Sequence, residues 1–114
     1  MQHEDLIDLE RQFWERSGDR AFWEENFADE GLVVLGPGTM DKTDVIRAQA
    51  SAEPWDEYGL EDLETIELGD DVVCLVYRAR ARRAGDENPY RAMIGSVYAL
   101  SDRWKLVMHQ QTPI

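Results

Sequence analysis

From residue 60 to residue 112 the chain runs in four β-like stretches, at roughly 60–68, 72–83, 90–100 and 104–112. Between them lie only Gly69-Asp70-Asp71, Ala84-Gly85-Asp86-Glu87-Asn88 and Ser101-Asp102-Arg103. Each separator is short enough for a hairpin and too short for the crossover that parallel neighbours need, so the back half reads as an antiparallel meander.

The front half carries helical spacing instead. Leu6, Leu9 and Phe13 share one stripe with Ile7 and Trp14 one step round, an apolar arc wide enough to lie against a sheet. Ser17-Gly18-Asp19 breaks this helix, and Asp19 caps a second one with Phe22, Trp23 and Phe27 on its apolar face. Gly31–Leu35 reads as a short buried strand closed by Gly36-Pro37-Gly38. Asp41 then caps a third helix carrying Val45, Ile46 and Ala48, and residues 51–58 form a loop around Pro54-Trp55. Helices first and meander after make an α+β fold with the helices on one face of the sheet. At 114 residues there is room for one domain and one core, spanning 1–114.

Composition limits the partners. With 12 Lys+Arg against 24 Asp+Glu the formal charge is −12, and that field opposes nucleic acid and anionic membrane surfaces. Acids within the first five residues and the absence of a basic-then-apolar leader pattern argue for the cytoplasm, and no apolar run reaches membrane-spanning length. Cys74, the one cysteine, sits in an apolar run and reads as a buried, inert thiol.

Period-2 alternation assigns faces. In the second run Val73, Leu75, Tyr77, Ala79 and Ala81 form the helix-covered side, opposite Val72, Cys74, Val76, Arg78, Arg80 and Arg82. A three-residue Ser101–Arg103 loop sets Leu100, Tyr98, Ser96 and Ile94 beside Trp104, Leu106, Met108 and Gln110, in that order. The expected pocket therefore takes Tyr77, Ser96, Tyr98, Trp104, Met108 and Gln110 from the sheet, with Trp14, Trp23 and Phe27 from the helices.

The ending Trp104-Lys105-Leu106-Val107-Met108-His109-Gln110-Gln111-Thr112-Pro113, with Tyr90-Arg91-Ala92 and Ser96-Val97-Tyr98 before it, resembles the nuclear transport factor 2-like superfamily in its SnoaL-like, largely uncharacterised branch. Val76-Tyr77-Arg78-Ala79, Pro54-Trp55 and Leu35-Gly36-Pro37-Gly38 fit the same pattern. The resemblance implies a cystatin-like cone: a curved sheet around the helices, a pocket between them, and a homodimer across the outer sheet face. It also implies a choice among an isomerase, dehydratase or polyketide cyclase, a binding protein for a small apolar or partly polar molecule, and a non-catalytic oligomerisation module. Fold alone does not decide between these.

Acid–base members of that superfamily use a pocket carboxylate. The runs at 72–83, 90–100 and 104–112 offer no inward Asp or Glu. A turn at Gly69–Asp71 that pairs Leu68 with Val73 would set Glu64 opposite Tyr77 on the inner side, a candidate acid–base pair beside the alternative of a solvent-facing strand-end glutamate. His109 is the third catalytic candidate. Alternation turns it outward with Gln111, toward an interface, with a pocket base as the rival reading. It has no partner at metal-ligand spacing, so neither a metal nor a cofactor is expected.

Gly36-Pro37-Gly38-Thr39-Met40-Asp41-Lys42-Thr43 mimics a phosphate loop but fails at Asp41, whose carboxylate would repel phosphate. Arg78, Arg80, Arg82 and Arg83 form a basic stripe, either a solvated charge row paired with neighbours such as Glu61 opposite Arg80, or an anion site. Trp55 either rims the pocket or plugs the cone's open end.

Overall fold

In the computed structural model, which describes residues 3–114, two aspartates start two of the three helices. The side chain of Asp19 accepts from the Phe22 backbone N–H at 3.1 Å, and that of Asp41 accepts from Asp44 N–H at 3.0 Å. The helices are α1 (Glu4–Glu15), α2 (Arg20–Asn26) and α3 (Lys42–Ser51). The strands are β1 (Phe27–Leu35), β2 (Gly38–Met40), β3 (Glu57–Gly69), β4 (Val72–Arg82), β5 (Tyr90–Leu100) and β6 (Trp104–Pro113).

The expected meander is present as β3–β4–β5–β6, and the six strands form one sheet in the order β2-β1-β6-β5-β4-β3. β1 lies parallel to β6 and all other neighbours are antiparallel. Three boundaries differ from expectation. β1 starts at Phe27, so this residue belongs to the sheet and not to the second helix's face; β3 starts at Glu57, inside the expected loop; and Gly38–Met40 adds a short strand. Ala48 is exposed, while Val45 and Ile46 carry the buried face of α3.

The core lies between the helices and the concave face of the sheet. Val73, Leu75, Tyr77, Ala79 and Ala81 are all buried there, as alternation along β4 requires. Leu6, Phe13 and Trp14 of α1 and Phe22 and Trp23 of α2 close the other side, with Phe13 edge-on to both Phe22 and Trp23 at 4.8 Å. Among the described residues no helix is long and apolar enough to cross a membrane.

Two of the sheet's irregularities decide where the expected site residues face. In β3 the ladder shifts between Glu61 and Glu64, with Asp62 in the left-handed region at φ 54°. Beyond the shift Glu64 pairs with Val76 and is exposed on the outer face, so the expected Glu64–Tyr77 pair does not form. The same strand sets Glu61 opposite Arg78 and leaves Gly59 opposite Arg80. In β6 the ladder shifts between the partners of Val97 and Tyr98: Tyr98 pairs with Leu106, Val97 with Met108 and Ser96 with His109. One extra residue, Val107, moves the alternation by one step. Met108 and Gln110, expected inside, therefore join the outer row with Val97 and Gly95, and His109 and Gln111, expected outside, turn inward.

Candidate functional site

Glu10 sits in the middle of the apolar face of α1, on the stripe that joins Leu6 to Phe13 and Trp14, and its side chain is 1% exposed. A carboxylate so placed must be met by donors, and three hydroxyls supply them. Tyr98 Oη–H donates to Oε1 at 2.6 Å and Ser96 Oγ–H to Oε2 at 2.8 Å, while Tyr77 Oη–H makes a further short bond to Oε2. Trp14 Nε1–H in turn donates to Tyr77 Oη at 2.8 Å. Burial first and the nearby Glu10 charge second push both tyrosines well above the ordinary phenol range, so they stay protonated donors.

The network continues to His109. Ser96 Oγ lies 2.7 Å from His109 Nδ1, and Gln111 Nε2 lies 2.9 Å from His109 Nε2. Ser96 spends its own proton on Glu10, so it accepts from Nδ1–H. His109 Nε2 is then the bare nitrogen, accepting from the Gln111 amide. Gln111 Oε1 accepts from Tyr90 Oη–H at 2.8 Å. The result is a one-way chain, Tyr90 to Gln111 to His109 to Ser96 to Glu10, ending on a carboxylate 3.7 Å from the imidazole. Burial pushes the His109 pKa down, with Glu10 opposing in part, which favours the neutral ring that this chain requires.

His109 and Gln111 open onto a cavity of about 180 Å³ between helices and sheet. Its walls are apolar, with Phe13, Trp14, Trp23 and Leu106 among them; the other polar groups at its edge are Ser17, Gln49 and Arg83. The segment between α3 and β3 brings Trp55 to the same cavity, where its ring lies 5.7 Å from Trp14 and stacks 5.7 Å from Tyr90. Trp55 therefore forms part of the cavity wall. A larger groove of about 330 Å³ at the end of β3 and β4 is bordered by Glu57, Glu61, Arg80 and Arg82, of which Arg82 and Glu57 already pair at 2.9 Å.

Trp14 and Trp23 line the cavity. Tyr77, Ser96 and Tyr98 are fully buried and hold Glu10 from behind it, while Phe27 is fully buried beside Trp23 at 6.2 Å. Trp104 packs half-buried against the core at the β5–β6 turn, away from the cavity lining. Met108, Gln110 and Glu64 belong to the outer face. Sequence reasoning missed Glu10 altogether, although a lone carboxylate on the stripe joining Leu6, Phe13 and Trp14 was there to be read. Among the described residues no cluster of His, Cys, Asp and Glu is arranged to hold a metal ion.

This layered geometry has close counterparts among solved structures. The fold is that of the nuclear transport factor 2-like proteins. A nuclear transport factor 2-like protein from Cytophaga hutchinsonii superposes with a TM-score of 0.81 at 20% identity, covering 100% of both chains. One from Rhodospirillum rubrum, of unknown function in nutrient uptake, gives 0.83 at 19% identity over 100% of this chain and 99% of that one. A protein from Parabacteroides distasonis, provisionally assigned as a ketosteroid isomerase, gives 0.79 at 10% identity over 96% and 85%. No protein-family model matches the sequence, and no curated protein matches it. At these identities the nuclear transport factor 2-like likeness speaks for architecture, and function must be argued from the site.

Proposed function

We propose that this chain is a pocket protein that binds a modest, largely apolar small molecule, with the ligand's polar end on His109 and Gln111. The carrying observation is the pairing of an apolar cavity with one polar corner whose donors and acceptors are fixed from behind by a buried carboxylate. A volume of about 180 Å³ suits roughly one substituted six-membered ring, since a dry cavity of about 150 Å³ takes a benzene. A ligand-observed NMR screen of ring-sized fragments tests this. Hits on the wild type that vanish in Leu35→Trp, which fills the cavity, are expected. No hits on the wild type would contradict it and favour a purely structural oligomerisation module.

A second reading is favoured by the tautomer of His109. A neutral imidazole with a bare Nε2 at the edge of an apolar cavity is poised as a general base. In an isomerase, dehydratase or cyclase step it would take a proton from carbon or oxygen once the ligand displaced the Gln111 amide. Glu10, through Ser96, would stabilise the imidazolium so formed. This reading replaces the Glu64–Tyr77 pair as the acid–base candidate.

We also infer a homodimer in the cytoplasm, formed across the outer sheet face. The face is apolar at its centre, with Cys74, Val76, Gly95, Val97 and Met108 in adjoining rows and Ile66 48% exposed beside them. Arg80 and Arg91 stand directly opposite each other on that face without an acidic partner among the described residues, and acids such as Glu61 and Glu64 on β3 of a second copy are the complementary charge.

A further inference from the structure

Most arginines of this acidic protein are already paired with acids: Arg11 with Asp8, Arg16 with Asp19, Arg20 with Glu24, Arg78 with Asp62, Arg82 with Glu57 and Arg103 with Glu25. Arg83 is not, and it borders the cavity. Its guanidinium carbon lies 3.7 Å over the Trp55 ring, and its Nε–H donates to the backbone carbonyl of Glu53 at 3.0 Å. The two terminal nitrogens have no hydrogen-bond partner among the described residues. The one nearby carboxylate that bonds to this residue, Asp86, accepts from the Arg83 backbone N–H at 3.0 Å and so fixes the main chain without neutralising the guanidinium.

We propose, building on the pocket reading above, that the ligand is a small ring carboxylate whose carboxylate sits on the free fork of Arg83. A planar fork with two parallel N–H groups matches a carboxylate in a way that a neutral amide cannot. The stack on Trp55 and the bond to Glu53 hold the fork at the cavity's edge, so little rotamer freedom remains to be lost on binding. The other end of the site fixes the orientation. Behind His109 stands Glu10, a buried carboxylate held by three hydroxyls, and its charge repels an anion from that corner. The ring then lies among Phe13, Trp14 and Trp23, with an uncharged carbonyl, hydroxyl or acidic C–H directed at His109. The field of the whole protein opposes anions, which makes a local unpaired cation the requirement for admitting one.

The test is equilibrium binding of benzoate and of its neutral isostere benzamide, followed by tryptophan fluorescence and ligand-observed NMR, on wild type, Arg83→Met, Arg83→Lys and the cavity-filled Leu35→Trp. On the wild type, benzoate binding at least tenfold tighter than benzamide is expected. Arg83→Met should remove that preference, and Arg83→Lys, which keeps the charge without the fork and protects against a folding failure in the methionine variant, should retain part of it. Equal binding of the two compounds to the wild type, both lost in Leu35→Trp, would overturn the carboxylate inference and leave the pocket reading intact. An undiminished preference in both Arg83 variants would likewise overturn it. Binding of neither compound, where the fragment screen gives hits that vanish in Leu35→Trp, would overturn the carboxylate inference alone; binding of neither together with an empty screen would overturn both readings.

Discussion

Glu10 and His109, ninety-nine positions apart, stand 3.7 Å from each other across the hydroxyl of Ser96. Helix α1 brings the carboxylate and the bulged β6 brings the imidazole, so the polar centre of the molecule exists only once the first and last elements have packed.

That dependence makes Glu10 a stability residue as well as a site residue. Glu10→Ala leaves the hydroxyls of Tyr77, Tyr98 and Ser96 buried without their acceptor and should cost about 3–5 kcal/mol in urea unfolding. Glu10→Gln keeps one acceptor oxygen and should cost less than half as much. A loss below about 1 kcal/mol for the alanine variant would mean that the network is not formed as described.

Stability should also depend on pH through His109. Burial sets its folded pKa below the ordinary histidine value of 6.5, so below that value the unfolded chain binds a proton that the folded chain resists. The stabilising contribution is complete above pH 6.5, is lost as pH falls toward the folded value, and levels off beneath it. Tyr98, Tyr77 and Tyr90 around the site stay protonated throughout this range, and Glu10 is the charge that faces the ring. Urea midpoints from pH 5 to 8 should fall more steeply toward acid in the wild type than in His109→Gln; equal slopes would contradict this.

Gly31 reports on how tightly β1 crosses the aromatic core. A Cβ there would meet Phe27 Cε1 at 2.7 Å and the Ala28 carbonyl oxygen at 3.0 Å, and the Phe27 ring is fully buried. Gly31→Ala should lose about 1–3 kcal/mol, measured as a drop in Tm with unchanged far-ultraviolet circular dichroism.

The meander was legible because its three separators admit only hairpins, and the inner face of β4 was legible because its alternation runs unbroken from Val73 to Ala81. The inverted faces of β3 and β6 share one cause. A bulge inserts one residue without changing composition, so nothing in the local pattern of Leu106-Val107-Met108-His109 tells which side of it alternation has switched. The same holds for Asp62 and Glu64 in β3. Glu10 is a different case: its helical stripe was legible, but the hydroxyls that meet it come from β4 and β5, and helical spacing alone does not bring them together.

Cys74 gives access to the proposed interface. Burial pushes its thiol pKa up, so alkylation by iodoacetamide should be slow. If two copies meet across the outer face, the rate should fall further as protein concentration rises from micromolar to near-millimolar, in step with the dimer fraction from sedimentation. A concentration-independent rate together with a monomeric sedimentation profile would rule out that interface.

The most direct test of the site is the imidazole of His109 itself, observed by long-range ¹H–¹⁵N NMR at neutral pH with and without a ring-sized ligand from the fragment screen. The geometry predicts a neutral ring protonated on Nδ1, with the bare Nε2 resonance moving as the ligand saturates the cavity. A ring protonated on Nε2, or an Nε2 signal indifferent to a bound ligand, would contradict the account.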